Sequence, residues 1–331
     1  MMEYIINNAQ WIFSGVGVAF VVGLIGFLKK KRNCQKQEIK GDVVIQVNSS
    51  KELSEQSNGT MNLLITKIAD ATGVWYEPTR IRRKARAEND AAFLTALTQF
   101  KISELQKRAI VRFSKEEVLK QANIEDVIER SFTDLSETAE PNKIDNDWLL
   151  NFLDKVKYVS SEQMRAVWAK ILAGESNMQG SFSKTTLRIL SEMSRSDAEV
   201  FQNLSRFVME IDGFISLFVD DYEKEFYKKY DITFDNLNQL ERLGLVSMNS
   251  MWGYHRSQIP HCINVSYVNR RVKLYFKKEK DNSLDSGKVI LSQSGEELMK
   301  ICNPLYDDEV FKYFIHVWEQ NENVEKVVVE N

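Results

Sequence analysis

The run at residues 11–28, WIFSGVGVAFVVGLIGFL, constrains this chain more than any other stretch: its 18 residues carry no charge, and Ser14 is their one clearly polar side chain. As a helix rising about 1.5 Å per residue it reaches roughly 27 Å, close to one hydrocarbon core. The reading is a single membrane-spanning anchor with a large domain behind it. A cleaved secretory signal would carry its positive charge ahead of the apolar region and a small-residue site after it. Here only Glu3 precedes the run, whereas Lys29, Lys30, Lys31 and Arg32 follow at once, with Lys36 and Lys40 beyond them. A buried helix is the other alternative on length. Positive flanks stay in the cytoplasm, so the expectation is a single-pass lipid-bilayer anchor, N-terminus outside and residues 29–331 inside. Trp11 and the lysines would mark the two interfaces. Gly15, Ala19 and Gly23 recur every four residues, a small-residue strip that permits close helix pairing in lipid. Glycine is also simply common in membrane helices, which explains the same strip without self-association.

Behind this run about 300 residues remain, enough for one large or two modest domains. The net charge of −3 offers no global argument for nucleic-acid binding. Cys34, Cys262 and Cys302 make neither a disulfide framework nor a Cys-x-x-Cys pair, which suits a reducing compartment. Prolines occur only at 78, 141, 260 and 304, and the long intervals between them favour helices. The predicted class is mainly α: a transmembrane helix with basic flank (1–32), a flexible linker (33–60), a helical stalk (61–140), a helical core domain (141–230) and a winged-helix-like α+β unit (231–331).

Taken in order, residues 43–47 alternate briefly like a strand inside a polar tether. A small helix carries Leu64, Ile68 and Ala71 on one face and stops at Gly73. Thr79 caps a long helix predicted to reach Phe113, and Ser114-Lys115-Glu116-Glu117 reads as a capping box opening another. From Asp147 the pattern turns to compact amphipathic helices. The first carries Trp148, Leu149, Phe152 and Val156. The second is capped at residues 160–163 and stopped at Gly174, the third is opened by Ser181 or Ser183, and the fourth is boxed by Ser196-Asp197-Ala198-Glu199 and runs through Phe207 and Val208. Near residue 234 a short helix ends at Gly244. Strand patterns follow at 265–267, 272–276 and 289–291, then a capping box at 294–297 and a helix. This is the order of a winged-helix-like unit. Residues 310–318 are ambiguous between strand and helix, and 324–329 read as an edge strand.

Three segments look familiar together: Tyr76-Glu77-Pro78-Thr79-Arg80-Ile81-Arg82-Arg83-Lys84-Ala85, Val167-Trp168-Ala169-Lys170-Ile171-Leu172-Ala173-Gly174-Glu175, and Gly180-Ser181-Phe182-Ser183-Lys184-Thr185-Thr186-Leu187. They resemble a bacterial family catalogued as domain of unknown function two-eight-zero-six. The phrase Leu291-Ser292-Gln293-Ser294-Gly295-Glu296-Glu297-Leu298 is similar to the "LT-x-x-G-x-E-L" ending of such proteins and departs from it at Ser292. The resemblance covers roughly residues 61–302 and brings no catalytic residues with it. It implies a bacterial inner-membrane setting and an anti-phage defence context.

No phosphate loop, dinucleotide turn, nucleophile elbow or His-Glu-x-x-His pair occurs in the sequence. His255, His261 and Cys262, with distant Cys302, fit no standard zinc spacing. The expectation is therefore a non-enzymatic protein with no metal and no cofactor. Two basic patches stand out. Arg80, Arg82, Arg83, Lys84 and Arg86 suit a solvated helix face, or contact with anionic lipid or a partner. Arg270, Arg271, Lys273, Lys277, Lys278 and Lys280 sit on the expected wing, with Arg271, Lys273 and Tyr275 on one strand face. A charged strand edge that blocks unwanted pairing explains this second patch; phosphate contact by a wing is the alternative. The functional expectation is a membrane-anchored cytoplasmic interaction protein, a sensor or effector of anti-phage defence, with an unknown protein partner or itself. A tethered nucleic-acid binder is the alternative.

Overall fold

The computed structural model of the protein describes residues 55–73, 103–302, 304 and 306–330. The chain divides into Met1–Glu52 and Leu53–Asn331, and every described residue belongs to the second unit. The expected anchor at residues 11–32, the alternating run at 43–47 and the basic segment at 80–86 lie outside the described residues. Among the described residues no helix is long and apolar enough to cross a membrane. The single-pass anchor and the inner-membrane location built on it are corrected accordingly.

Helix α1 (Glu55–Thr72) starts inside the expected tether and ends where Gly73, at φ 66°, turns the chain. Its Leu64 and Ile68 are fully buried. Helix α2 (Glu104–Ser131) begins at a capping box formed by Ser103 and Gln106. It runs straight through residues 114–117, so the expected second start there is corrected. The helix formers around Ser114 keep it helical, and the pairs Arg112–Glu116 and Lys120–Glu117 brace the exposed side.

Helices α3 (Asn146–Val156), α4 (Glu162–Asn177), α5 (Lys184–Glu192) and α6 (Arg195–Leu204) follow, capped by Asp145, Ser161, Ser183 and Ser194. At their centre Trp148 stacks on Phe152 and Phe152 meets Trp168 edge to face, with ring centroids 5.2 and 5.5 Å apart. The cap of α6 is Ser194 with Asp197 as its boxing partner, two residues before the expected Ser196. Helix α4 does not stop at Gly174 but continues to Asn177. Gly174 is required by packing instead, since a Cβ there would lie 2.7 Å from the Phe182 ring.

The mainly-α class is corrected by what comes next. Strands β1 (Val208–Ile211) and β2 (Phe214–Leu217) form a hairpin where the sequence suggested helix. Its two-residue turn is Asp212-Gly213, both at positive φ (49° and 86°), the mirror-image turn that matches strand twist. Helices α7 (Glu225–Lys228) and α8 (Phe234–Leu243) lead to β3 (Val246–Met248) through Gly244 in the left-handed region. Then come β4 (Tyr254–Ile259), β5 (Cys262–Tyr267), β6 (Arg270–Phe276), β7 (Asn282–Gly287) and β8 (Val289–Leu291). Helices α9 (Gln293–Met299) and α10 (Asp308–Glu319) and strand β9 (Val324–Glu330) complete the chain. Residues 310–318, ambiguous in sequence, are thus helical.

The main sheet is antiparallel with the order β2-β1-β5-β6-β9, and β3–β8 and β4–β7 are separate two-stranded ladders. The helix, Gly-Leu turn and strand expected of a winged helix do occur, as α8, Gly244 and β3. The two expected wing strands, however, are central strands of the five-stranded sheet, which joins segments from both sides of residue 230. Val265, Val272, Leu274 and Phe276 on its inner face are buried in one core with Phe311, Phe314 and Trp318 of α10. The cap of α9 is Ser292, not Ser294; Ser294 is buried, and the earlier start turns Glu297 inward.

Candidate functional site

Two buried carboxylates lie where the helical layer meets the segment after β8, and the second of them bonds across that boundary. Glu175 on α4 accepts from the Gly180 and Phe182 amides (2.7 and 3.1 Å). Glu297 on α9 accepts from the Ser183 amide and the Thr186 hydroxyl (2.7 and 2.6 Å) and from the Gln293 side chain. Phe182, between them, receives the Trp148 indole N–H on its carbonyl oxygen (2.6 Å). Burial raises the Glu175 carboxyl above its ordinary range, against the pull of the Gly180, Phe182 and Ser181 amides, and nearby Glu297 adds to the rise. Both carboxylates are thus occupied with hydrogen-bond donors, two of those of Glu297 coming from more than a hundred residues away, as a structural joint requires. Gly295 belongs to the same joint, since a Cβ there would overlap the Leu245 carbonyl.

A second polar cluster ties the segment after β2 to α7 and α10. The Asp220 carboxylate accepts from the Lys224 ammonium (2.6 Å), the Tyr227 hydroxyl (2.6 Å) and the Tyr313 hydroxyl (2.8 Å). Burial works to raise the Asp220 carboxyl, but hydrogen bonds from Lys224, Tyr227 and Tyr313 outweigh it and hold the group below the ordinary value. Burial and the Asp220 charge push the Tyr227 phenol up, which keeps it a donor. Alongside, Lys288 pairs with Asp221 at 3.2 Å.

These two sites titrate in opposite senses. A depressed carboxyl contributes stability in full above the unfolded value near about 3.9, and loses it as pH falls through the depressed value. Glu175, raised in the fold, is costly when ionised, and that cost fades as pH falls through its raised value. Urea midpoints followed into acid are expected to show Asp220→Asn converging on the wild type. At higher pH, as pH falls from the raised value of the Glu175 carboxyl to the ordinary one, the wild type should gain on Glu175→Gln. A constant gap in both series would contradict these roles.

The third feature is a tip between β3 and β4. Asn249 closes it from both sides: its oxygen Oδ1 accepts from the Trp252 amide (3.1 Å), its Nδ2 donates to the Gly253 carbonyl (3.2 Å), and its own carbonyl accepts from the Gly253 amide (3.1 Å). The Asn249 amide donates to the Lys288 carbonyl at 2.9 Å, which fastens the tip to the ladder below. Gly253, at φ 65°, supplies the turn. What this frame holds out is Met251 and Trp252, 82% and 85% exposed. Single exposed apolar residues are ordinary, but two adjacent large ones on a hydrogen-bonded frame are not.

The sequence-predicted site residues fare unevenly. Trp11, Gly15, Ala19, Gly23, Lys29, Lys30, Lys31 and Arg32 lie outside the described residues, as do Arg80, Arg82, Arg83, Lys84 and Arg86. Arg271, Lys273 and Tyr275 do share one sheet face, opposite buried Val272, Leu274 and Phe276. β6 is an interior strand, however, so a charged edge is not what explains them. Lys273 is paired with Glu330 at 2.6 Å and Arg270 lies over the Tyr306 ring, while Lys277, Lys278 and Lys280 remain exposed beyond the strand end. His261 and Cys262 sit at the start of β5, with the His261 ring against Tyr275. Among the described residues no group of His, Cys, Asp and Glu could hold a metal ion. Burial pushes the Cys302 thiol up to about 11, away from thiolate chemistry.

The carboxylate joint is where the familiar motifs converge, since Glu175, the 180–187 segment and Glu297 all come from them. A family model described as "Protein of unknown function (DUF2806)" matches residues 107–315. The chain belongs to this family. The DUF2806 match takes in both carboxylates, the Asp220 cluster and the Met251–Trp252 tip, while the segment at 76–85 falls ahead of it. No curated protein and no solved structure matches the chain. In the sequence, Glu175 and Glu297 stand within motifs that carry no role, and Asp220, Met251 and Trp252 are not among the expected site residues. The signal for the tip was present in Asn249-Ser250-Met251-Trp252-Gly253, two large apolar residues bracketed by turn formers.

Proposed function

We propose that this protein is a non-enzymatic interaction protein that docks onto a protein partner through Met251 and Trp252. The observation that carries the reading is the exposure of both side chains on a tip whose backbone Asn249 locks. Interface hot spots are enriched in tryptophan, and a pre-ordered tip loses little conformational freedom on docking. Burying about 200 Å² of an aromatic side chain at ~25 cal/mol per Å² is worth about 5 kcal/mol before association costs. The buried polar clusters support the same reading, because their groups are engaged with one another and with backbone amides. An anti-phage defence setting is part of the proposal and rests on the motif resemblance alone.

The test is a photo-crosslinking amino acid placed at exposed Ser250, beside an intact Met251–Trp252 tip, in the full chain in its native cells, compared with the same residue at exposed Gln179. A discrete adduct from position 250 that is missing from position 179 is the expected result. No adduct at 250, or the same adducts from both positions, would overturn the reading.

A further inference from the structure

We infer that the outer edge of β9 pairs with β9 of a second copy of this chain, joining two five-stranded sheets across a two-fold axis. β9 is a terminal strand of the sheet, and among the described residues no strand lies on its other side. Such an edge presents a row of backbone donors and acceptors, which natural proteins blunt with lysine and other charges, proline, bulges or short length, and the one lysine of β9, Lys326, is matched by Glu330 in the pairing below. The opposite edge, β2, is short, at four residues. β9 has seven residues and no proline, and its irregularity is confined to its start, near Tyr275 and Phe276. From Lys326 to Glu330 it runs in regular register beside β6, and Val327, Val328 and Val329 are strong strand formers.

The sequence of this edge complements itself. Antiparallel pairing centred on Val328 sets Lys326 opposite Glu330 of the second copy, and Glu330 opposite its Lys326. Val327 faces Val329 twice, and Val328 meets its own copy on the axis. Opposite charges directly across strands stabilise a pair, as do β-branched neighbours. Every pair also stays on its own sheet face: 326, 328 and 330 share the face of Tyr275, Lys273 and Arg271, while 327 and 329 share that of Leu274 and Val272. Centring on Val327 would set Glu330 against Val324, and centring on Val329 would set Glu330 against Val328. Neither pairs the charges. The chosen register also covers Val329, which is 41% exposed. A two-fold interface of this kind uses one patch on both copies and closes at a dimer.

The experiment is light scattering on the full chain after size-exclusion chromatography, with two variants. Lys326→Glu replaces two attractive cross-strand pairs with two repulsive ones and is expected to weaken the dimer about 10-fold or more. Val328→Cys places two thiols on the axis at cross-strand spacing, so diamide oxidation is expected to give a disulfide-linked dimer, whereas Glu325→Cys gives none. A wild-type monomer at the highest concentration reached, a dimer unaffected by Lys326→Glu, or equal crosslinking from both cysteines would overturn the inference. The tip at Met251 and Trp252 is untouched by these variants, so this pairing and the proposed docking fail or stand separately.

Discussion

Replacing Glu297 with alanine is expected to destabilise the protein by about 2–6 kcal/mol, since each of two donors left unsatisfied in a buried site costs ~1–3 kcal/mol. The donors are the Ser183 amide and the Thr186 hydroxyl, both within 2.7 Å of the carboxylate. They stand at the N-terminus of α5, so the loss also loosens the cap that starts that helix. Glu297→Gln keeps one acceptor oxygen and is expected to recover part of the deficit. Chemical denaturation of the three proteins checks this. A Glu297→Ala midpoint equal to wild type would mean the joint does not hold α5 and α9 together.

Gly287→Ala is the second large effect. Gly287 sits at φ 88°, where an L side chain is strained, and a Cβ would overlap the Val219 carbonyl. The same carbonyl accepts the Lys288 amide at 2.7 Å, so the two segments cannot part without losing that bond. Left-handed strain of ~1–2 kcal/mol and overpacking of ~1–3 kcal/mol together predict about 2–5 kcal/mol. Gly180, also at positive φ but with open space around it, should cost less on the same change. A similar loss at both positions would show that backbone conformation alone sets the effect.

Much of the helical layer was legible because apolar spacing and serine caps are local signals. Trp148, Leu149, Phe152 and Val156 were read as one face and are all buried. Cap positions slipped by two residues at Ser194 and Ser292, where Ser-x-Ser offers two starts and packing of Asp197 and Glu297 decides between them. The hairpin of β1 and β2 was missed although Asp212-Gly213 is a hairpin turn sequence, because Val200, Phe201, Leu204, Phe207 and Val208 continue a helical spacing into it. The sheet itself is non-local: β1 meets β5 across more than fifty residues of chain, with Asp212 bonded to Asn264 at both amide and side chain. No local pattern encodes that pairing, and so the two wing-like strands were given the wrong neighbours. Asp220 was invisible for the same reason, since its partner Tyr313 lies on α10.

Docking through Met251 and Trp252 is the central claim, and it separates from stability. Met251→Ser with Trp252→Ser alters only side chains that point into solvent, so the urea midpoint should stay at the wild-type value. The deciding measurement places the photo-crosslinker at exposed Ser250, beside the tip, in the wild-type and doubly substituted full chains in native cells. The account predicts a discrete adduct in the wild type, weakened at least about 30-fold in the double variant, as hot-spot losses of ~2 kcal/mol or more require. An adduct of equal yield in both proteins, with equal midpoints, would show that the partner does not read this tip.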